Sequence, residues 1–247
     1  FVLRFIGRSS LCQYTEQANS LSYVTHGRKV SLMGPGGLKN DNVSLEMRDV
    51  HISNYGRLCP IETPEGKSVG VVTALSTFTR INKYHQMETP YILVQNSKVT
   101  GIIHYLTIPE ERTKYIALAT ERCYKDGSIV EDTNIYCRYD YKTVMCKSSM
   151  VQYIELSPKQ LTSLSSSLIP FLEHNDAIRA LMGANMQRQA GPLDYLESPI
   201  ISTGMEAIIA RDLGSTLKTS NIRDVCLYSD ARSTTRAYLN NSSIKTK

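Results

Sequence analysis

Apolar and polar positions change their spacing several times along this chain of 247 residues. From Ser9 to Leu32 the polar run Gln13–Asn19 is followed by sparse apolar anchors at Leu21, Val24, Val30 and Leu32, a pattern that predicts helix, turn, helix. Gly34-Pro35-Gly36-Gly37 breaks it, and Lys39–Ser44 reads as a polar loop. Leu45–Ile52 (LEMRDVHI) alternates apolar and polar residues, which predicts a strand. Tyr55–Gly66 (YGRLCPIETPEG) holds two prolines and two glycines and excludes a regular helix. Val69–Thr79 is apolar and small, and its periodicity fits a buried strand or a helix equally.

Beyond Pro90 the rhythm shortens. Tyr91–Val94, Val99–Tyr105, Tyr115–Ala119, Ile135–Tyr139 and Val151–Leu156 are brief runs rich in Val, Ile and Tyr, separated by polar turns. They predict a small antiparallel β domain ending near Ser157. After Pro158, residues 175–190 (NDAIRALMGANMQRQA) predict a helix with Asp176 as N-cap, an apolar face at Ala180, Leu181 and Ala184, and a stop at Gly191-Pro192. The remainder is mixed and leans to β. The class is therefore α+β, in several lobes, with no internal repeat or low-complexity tract.

Composition changes this picture little. The chain is 41% hydrophobic, enough for a core, and carries a net charge of +5. The excess sits in the first hundred residues, with 11 Lys/Arg against 7 Asp/Glu. That is compatible with nucleic acid but fits a solvated basic surface equally well. Six scattered cysteines, without C-x-x-C spacing or neighbouring histidines, predict no zinc site and fit a reducing compartment better than a disulfide scaffold. No run of 18 apolar residues predicts a membrane span. The opening FVLRFIG lacks a signal-peptide pattern, and the chain reads as a fragment.

Four stretches could carry chemistry. Gln13–Ser31 concentrates amide, hydroxyl and cationic side chains suited to phosphates, sugars and base edges, although an ordinary exposed element explains it too. The Gly34–Gly37 loop could cradle a phosphate, but no Gly-Lys-Ser/Thr follows, and a plain turn is the better default. In YGRLCPIETPEG, Glu62 and Glu65 are better read as positioning groups, able to orient Arg57, than as an acid–base pair. On the 175–190 helix Asp176 shares a face with Arg179, and Asn185 with Arg188. A guanidinium fixed in that way suits phosphate binding, and a plain surface helix is the alternative.

The strings LCQYTEQANSLSYVTHGRKVSLMGPGGL, YGRLCPIETPEG and SLIPFLEHNDAIRALMGANMQRQA, in this order, resemble the β subunit of bacterial-type, multisubunit DNA-directed RNA polymerases, including plastid relatives. The resemblance implies three regions: a fork region containing the rifampicin pocket (1–85), an external β lobe (86–157), and the beginning of a β-rich hybrid-binding domain (158–247). Gln13, Tyr14, Glu16, His26, Arg28, Lys29 and Ser31 would line the RNA path and the rifampicin pocket, joined by Gln187 and Gln189. Glu65, Ser68, Arg179 and Arg188 would face the nucleotide. No catalytic residue and no metal ligand is expected within the segment; Mg2+ would be held by the partner β′ subunit. The implied partners are β′, the α subunits, the remainder of β, a sigma factor, template DNA, nascent RNA and nucleoside triphosphates. A plastid is the expected location, with the bacterial cytoplasm as the alternative. Ile178 departs from the family, which has Asn before the substrate-facing arginine. A degenerate structural subunit and a stand-alone nucleic-acid-binding module are the competing readings.

Overall fold

The computed structural model describes residues 1–39, 43–120, 129, 134–191, 193–194 and 197–212, and the backbone of 225–229 and 235–239. Residues 40–42 of the expected polar loop lie outside these residues, as do Cys123, Pro192 and the side chain of Cys226. The chain divides into two compact units, Phe1–Ile209 and Ala210–Lys247.

Helix α1 (Val2–Arg8) buries none of its side chains. Residues 12–17 carry no regular secondary structure, so the expected helix-turn-helix is a single helix, α2 (Ser20–Gly27), followed by a strand, β1 (Lys29–Ser31). Asn19 caps α2, its side chain accepting from Ser22 N, which explains a helix start eleven residues later than the pattern onset at Ser9. Strand β2 (Val72–Ala74) pairs antiparallel with β1, resolving the ambiguous 69–79 run as a short strand. The expected strand over Leu45–Ile52 is absent. Two short 3-10 turns, Glu46–Arg48 and Ile52–Asn54, stand there instead. Their alternation is overridden by a tertiary clasp: Arg48 Nη1 donates to the carbonyls of Lys67 (2.7 Å) and Val69 (2.8 Å).

The largest sheet comprises β3 (Arg80–Ile81), β4 (Met87–Gln95), β5 (Lys98–Leu106), β6 (Ile116–Ala117), β7 (Asn134–Tyr139), β8 (Lys142–Lys147) and β9 (Tyr153–Glu155). Its order is β3-β4-β9-β6-β7-β8, with β5 also on β4. Every pairing is antiparallel except β6 with β9. Side chains alternate across the sheet, and each face carries an apolar cluster, while β5 stays largely exposed. Ala117, Ile135, Cys137 and Ile154 form one core; Tyr91, Leu106, Ile116 and Tyr153 form the other. The hairpins β4–β5 and β7–β8 turn at Asn96-Ser97 and Asp140-Tyr141, all four with positive φ, the geometry that matches strand twist. Folding β7 onto β8 brings Cys137 and Cys146 to diagonal positions, Cα atoms 6.4 Å apart, where they form a disulfide. The cysteine reading is corrected to this extent: one hairpin carries a cross-link, while Cys12 and Cys59 stay free.

A short helix, α3 (Ile108–Arg112), follows β5, and α4 (Leu164–Ser167) precedes α5 (Ala177–Arg188), the expected helix. Asp176 is its N-cap, without a side-chain capping bond, and it ends at Arg188, with Gln189 as C-cap, ahead of the expected Gly191-Pro192 stop. Helix α6 (Glu206–Asp212) follows. In the second unit β10 (Val225–Ser229) and β11 (Thr235–Leu239) form an antiparallel hairpin.

The YGRLCPIETPEG segment is held by side chains from several elements. Gly56 O accepts from Thr79 Oγ1 (2.7 Å) and Thr89 Oγ1 (3.0 Å), while Thr63 Oγ1 donates to Val72 O (2.9 Å) and accepts from Gly70 N (2.9 Å). Arg57 is 1% exposed. Its partner is neither Glu62 nor Glu65 but Glu111 on α3, at 2.5 Å, with further donation to Leu106 O (3.1 Å) and Met87 O (3.3 Å). Arg138 on β7 reaches the second oxygen of Glu111 (2.9 Å) and lies over the Tyr55 ring at 3.9 Å. Burial, with the Glu155 charge second, pushes the Tyr55 hydroxyl up to about 12. A buried ionic cluster thus joins this loop to the large sheet.

Candidate functional site

The C-terminal turn of α5 meets the chain that leads into α2. Arg188 donates to Glu62 Oε1 through Nη1 and to Asn185 Oδ1 through Nη2. The pairing of Asn185 with Arg188 is the one their three-residue spacing predicts. Glu62 is the positioning group expected, with Arg188 rather than Arg57 as the group positioned. Burial draws the Arg188 pKa below its ordinary value and the nearby Glu16 charge opposes this; the group stays cationic because arginine ionises far above neutrality.

Opposite stands Glu16. It accepts from Lys29 Nζ at 2.7 Å and lies 3.6 Å from His26 Nδ1. The Lys29 hydrogen bond holds its carboxyl below the ordinary value. Glu16, Gln17, Ala18, Lys29, Asn185, Arg188 and Gln189 line a cleft of about 390 Å³. A second cleft of about 280 Å³ shares Lys29, Asn185 and Arg188 and adds Glu62, Glu65 and the edge of β2. Two anchored cations between two open clefts can bind an anionic, phosphate-bearing chain or ligand.

The structure therefore brings together Glu16, Lys29, Glu65, Arg188 and Gln189, with His26 joined through Glu16. Gln187 is half-buried beside them on α5. The other candidates stand apart from the two clefts. Gln13 is exposed and Tyr14 is 100% exposed. Arg28 is turned inward, donating to Ser76 O (2.5 Å) and Thr79 O (3.2 Å). Ser31 Oγ accepts from Met33 N (3.1 Å), and Ser68 Oγ lies 3.9 Å from Met33 Sδ. Arg179 is exposed, with Nη1 3.8 Å from Met182 Sδ. Reading by residue type missed Asn19, whose amide touches both helices. Its signal was an N-cap residue directly before a helix start.

Among the described residues no group of three or more His, Cys, Asp or Glu could hold a metal ion, and no helix is long and apolar enough to cross a membrane.

Residues 13–81 match the family described as RNA polymerase Rpb2, domain 3, and residues 91–157 match the RNA polymerase beta subunit external 1 domain. The chain is 50% identical over 216 residues to the DNA-directed RNA polymerase subunit beta of Erythrobacter litoralis (strain HTCC2594), covering 87% of this chain and 15% of that protein. It is 46% identical over 227 residues to the same subunit of Borreliella afzelii (strain PKo), covering 92% and 20%. For Borrelia duttonii (strain Ly) the figures are 48% over 218 residues, 88% and 19%. A mixed α+β scaffold whose two successive regions match polymerase β-subunit domains is thus the scaffold of a polymerase subunit. The chain belongs to the β-subunit family of DNA-directed RNA polymerases. It spans about a fifth or less of the length of these bacterial relatives.

Proposed function

We propose that this chain forms one wall of the RNA path and nucleotide site in a multisubunit DNA-directed RNA polymerase. The observation that carries this reading is the convergence of Glu16, Lys29, Arg188 and Gln189 on one cleft, from segments more than 150 residues apart in sequence. Lys29 and Arg188 supply positive charge for RNA or triphosphate oxygens. Glu16, Asn185 and Glu62 hold those cations in place, so little reorganisation is needed when charge arrives. Arg179, exposed and without an ion pair among the described residues, is free to reach the triphosphate of an incoming nucleotide. Gln13, Tyr14, Ser31 and Gln187 border the RNA path and the rifampicin pocket in this reading, and Glu65 and Ser68 approach the nucleotide.

Nucleotidyl transfer would then be an activity of an assembly with β′, the α subunits, the remainder of β and a sigma factor, acting on template DNA, nascent RNA and nucleoside triphosphates. The donor set here does not fit a magnesium ion, which takes carboxylate and water oxygens, because Glu16 and Glu62 already serve Lys29 and Arg188. The reading assigns Mg2+ to β′. The bacterial sources of the relatives favour the bacterial cytoplasm over a plastid.

The test is steady-state transcription by the reconstituted enzyme. Arg179→Ala and Arg188→Ala are each expected to raise the nucleotide KM by about tenfold or more, the loss of one charge-assisted contact. Unchanged KM in both variants favours a structural relic, and robust synthesis by the isolated chain refutes the reading.

A further inference from the structure

Asn19 lies just before α2, yet its side-chain nitrogen is directed at the C-terminal end of α5, some 170 residues away. Its Nδ2 lies within hydrogen-bond distance of the carbonyls of Gln187 (2.9 Å), Arg188 (3.1 Å) and Ala190 (3.0 Å), which share its two N–H groups. Its Oδ1 accepts from Ser22 N at 2.7 Å, and its backbone N–H donates to Ser22 Oγ at 3.1 Å. One primary amide therefore closes the N-terminus of α2 and the C-terminus of α5 together. Each end leaves unpaired backbone groups of opposite kind, donors on α2 and acceptors on α5, and an amide is a side chain that offers both. The orientation is set on both sides: the oxygen faces an N–H, and the nitrogen faces three carbonyls.

The carbonyls that Asn19 holds frame Arg188 and Gln189, which line the cleft, while Glu16 and Lys29 flank Asn19 on its own segment. Rotating the last turn of α5 would carry the Arg188 guanidinium away from Lys29. We infer that Asn19 is a positioning residue: its side-chain amide clasps the end of α5 to the start of α2 and so sets the register of Arg188 and Gln189 against Glu16 and Lys29. This rests on the polymerase reading for its consequence in catalysis, but not for the clasp itself.

Two variants separate the clasp from the cap. Asn19→Asp and Asn19→Ser both keep an oxygen that can accept from Ser22 N, so α2 stays capped. Both lose the –NH2 donors, and the aspartate also places negative charge against the carbonyl end of α5. Hydrogen exchange on the 247-residue chain is the first measurement. Amides of Gln189 and Ala190, which close the last turn of α5 onto Met186 and Gln187, are expected to exchange about tenfold faster, with 20–27 unchanged. Transcription by the reconstituted enzyme is the second. The nucleotide KM is expected to rise about tenfold, short of the ~100-fold effect of a displacement of about 1 Å, with kcat at saturation nearly unchanged. Unchanged exchange at 189–190 overturns the clasp. Faster exchange with an unchanged KM overturns the positioning role. A wild-type assembly that makes no RNA counts against the polymerase reading, and the exchange experiment then still decides the clasp.

Discussion

Glu111 is expected to matter more to stability than the arginine it pairs with. Arg57, 1% exposed, faces Glu111 Oε2 at 2.5 Å, and Arg138 faces Glu111 Oε1 at 2.9 Å. One carboxylate therefore bridges two buried guanidiniums and is the only carboxylate paired with Arg57 among the described residues. In Glu111→Gln, Arg138 retains Glu155 at 3.7 Å, but Arg57 keeps only carbonyl acceptors. An uncompensated buried charge is destabilising by about 3–5 kcal/mol. In Arg57→Met, Glu111 still has Arg138, and the loss is chiefly the two bonds to Leu106 O and Met87 O plus part of the ion pair, ~2–3 kcal/mol. The double variant removes the stranded charge along with its partner, so it should lose less than the sum of the singles, with a coupling of about 1–3 kcal/mol. Urea unfolding followed by tyrosine fluorescence measures this directly, since the chain has 15 Tyr and no Trp. A loss under ~1 kcal/mol for Glu111→Gln would mean the cluster is solvated like a surface pair, and the reasoning fails. Strict additivity would refute it equally.

Two further outcomes follow from the same region and its neighbour. Burial, opposed by Arg138, raises the Glu155 carboxyl above its ordinary value of 4.5, so the folded state holds this proton to higher pH than the unfolded one. Its contribution is then fully present below 4.5 and is lost as pH rises through the folded value; Glu155→Gln should flatten that decline across urea titrations from about pH 4 to 7, and parallel wild-type and variant curves would contradict the assignment. Gly70 has φ +74, and a Cβ there would sit 2.4 Å from the Arg48 carbonyl oxygen, so Gly70→Ala is expected to lose more than ~2 kcal/mol in the same assay; a loss under ~0.5 kcal/mol would show that the turn relaxes freely.

Much of this molecule was legible in the order of its residues. The five Val/Ile/Tyr-rich runs between Tyr91 and Leu156 contribute strands because the preference of β-branched and aromatic side chains for a pleated surface is a local property, readable from composition. Helix α5 was visible because its apolar spacing is equally local, and the long motifs carried the family. Strand β8 was not, because KTVMCK holds a single Val and no Ile or Tyr between two lysines, and gains its strand form from pairing with β7. The Leu45–Ile52 alternation misled, because Arg48 binds carbonyls about twenty residues ahead and the backbone follows it. In the candidate site the residue types were readable, but their partners were not. Glu62 meets Arg188 across 126 positions, Arg57 chooses Glu111 over the nearer glutamates, and Asn19 joins two helix ends. Sequence alone determined the local elements and the inventory of charged and polar groups. Only the tertiary fold decided which cation each carboxylate holds, because such pairing depends on distances in space that the spacing along the chain does not contain.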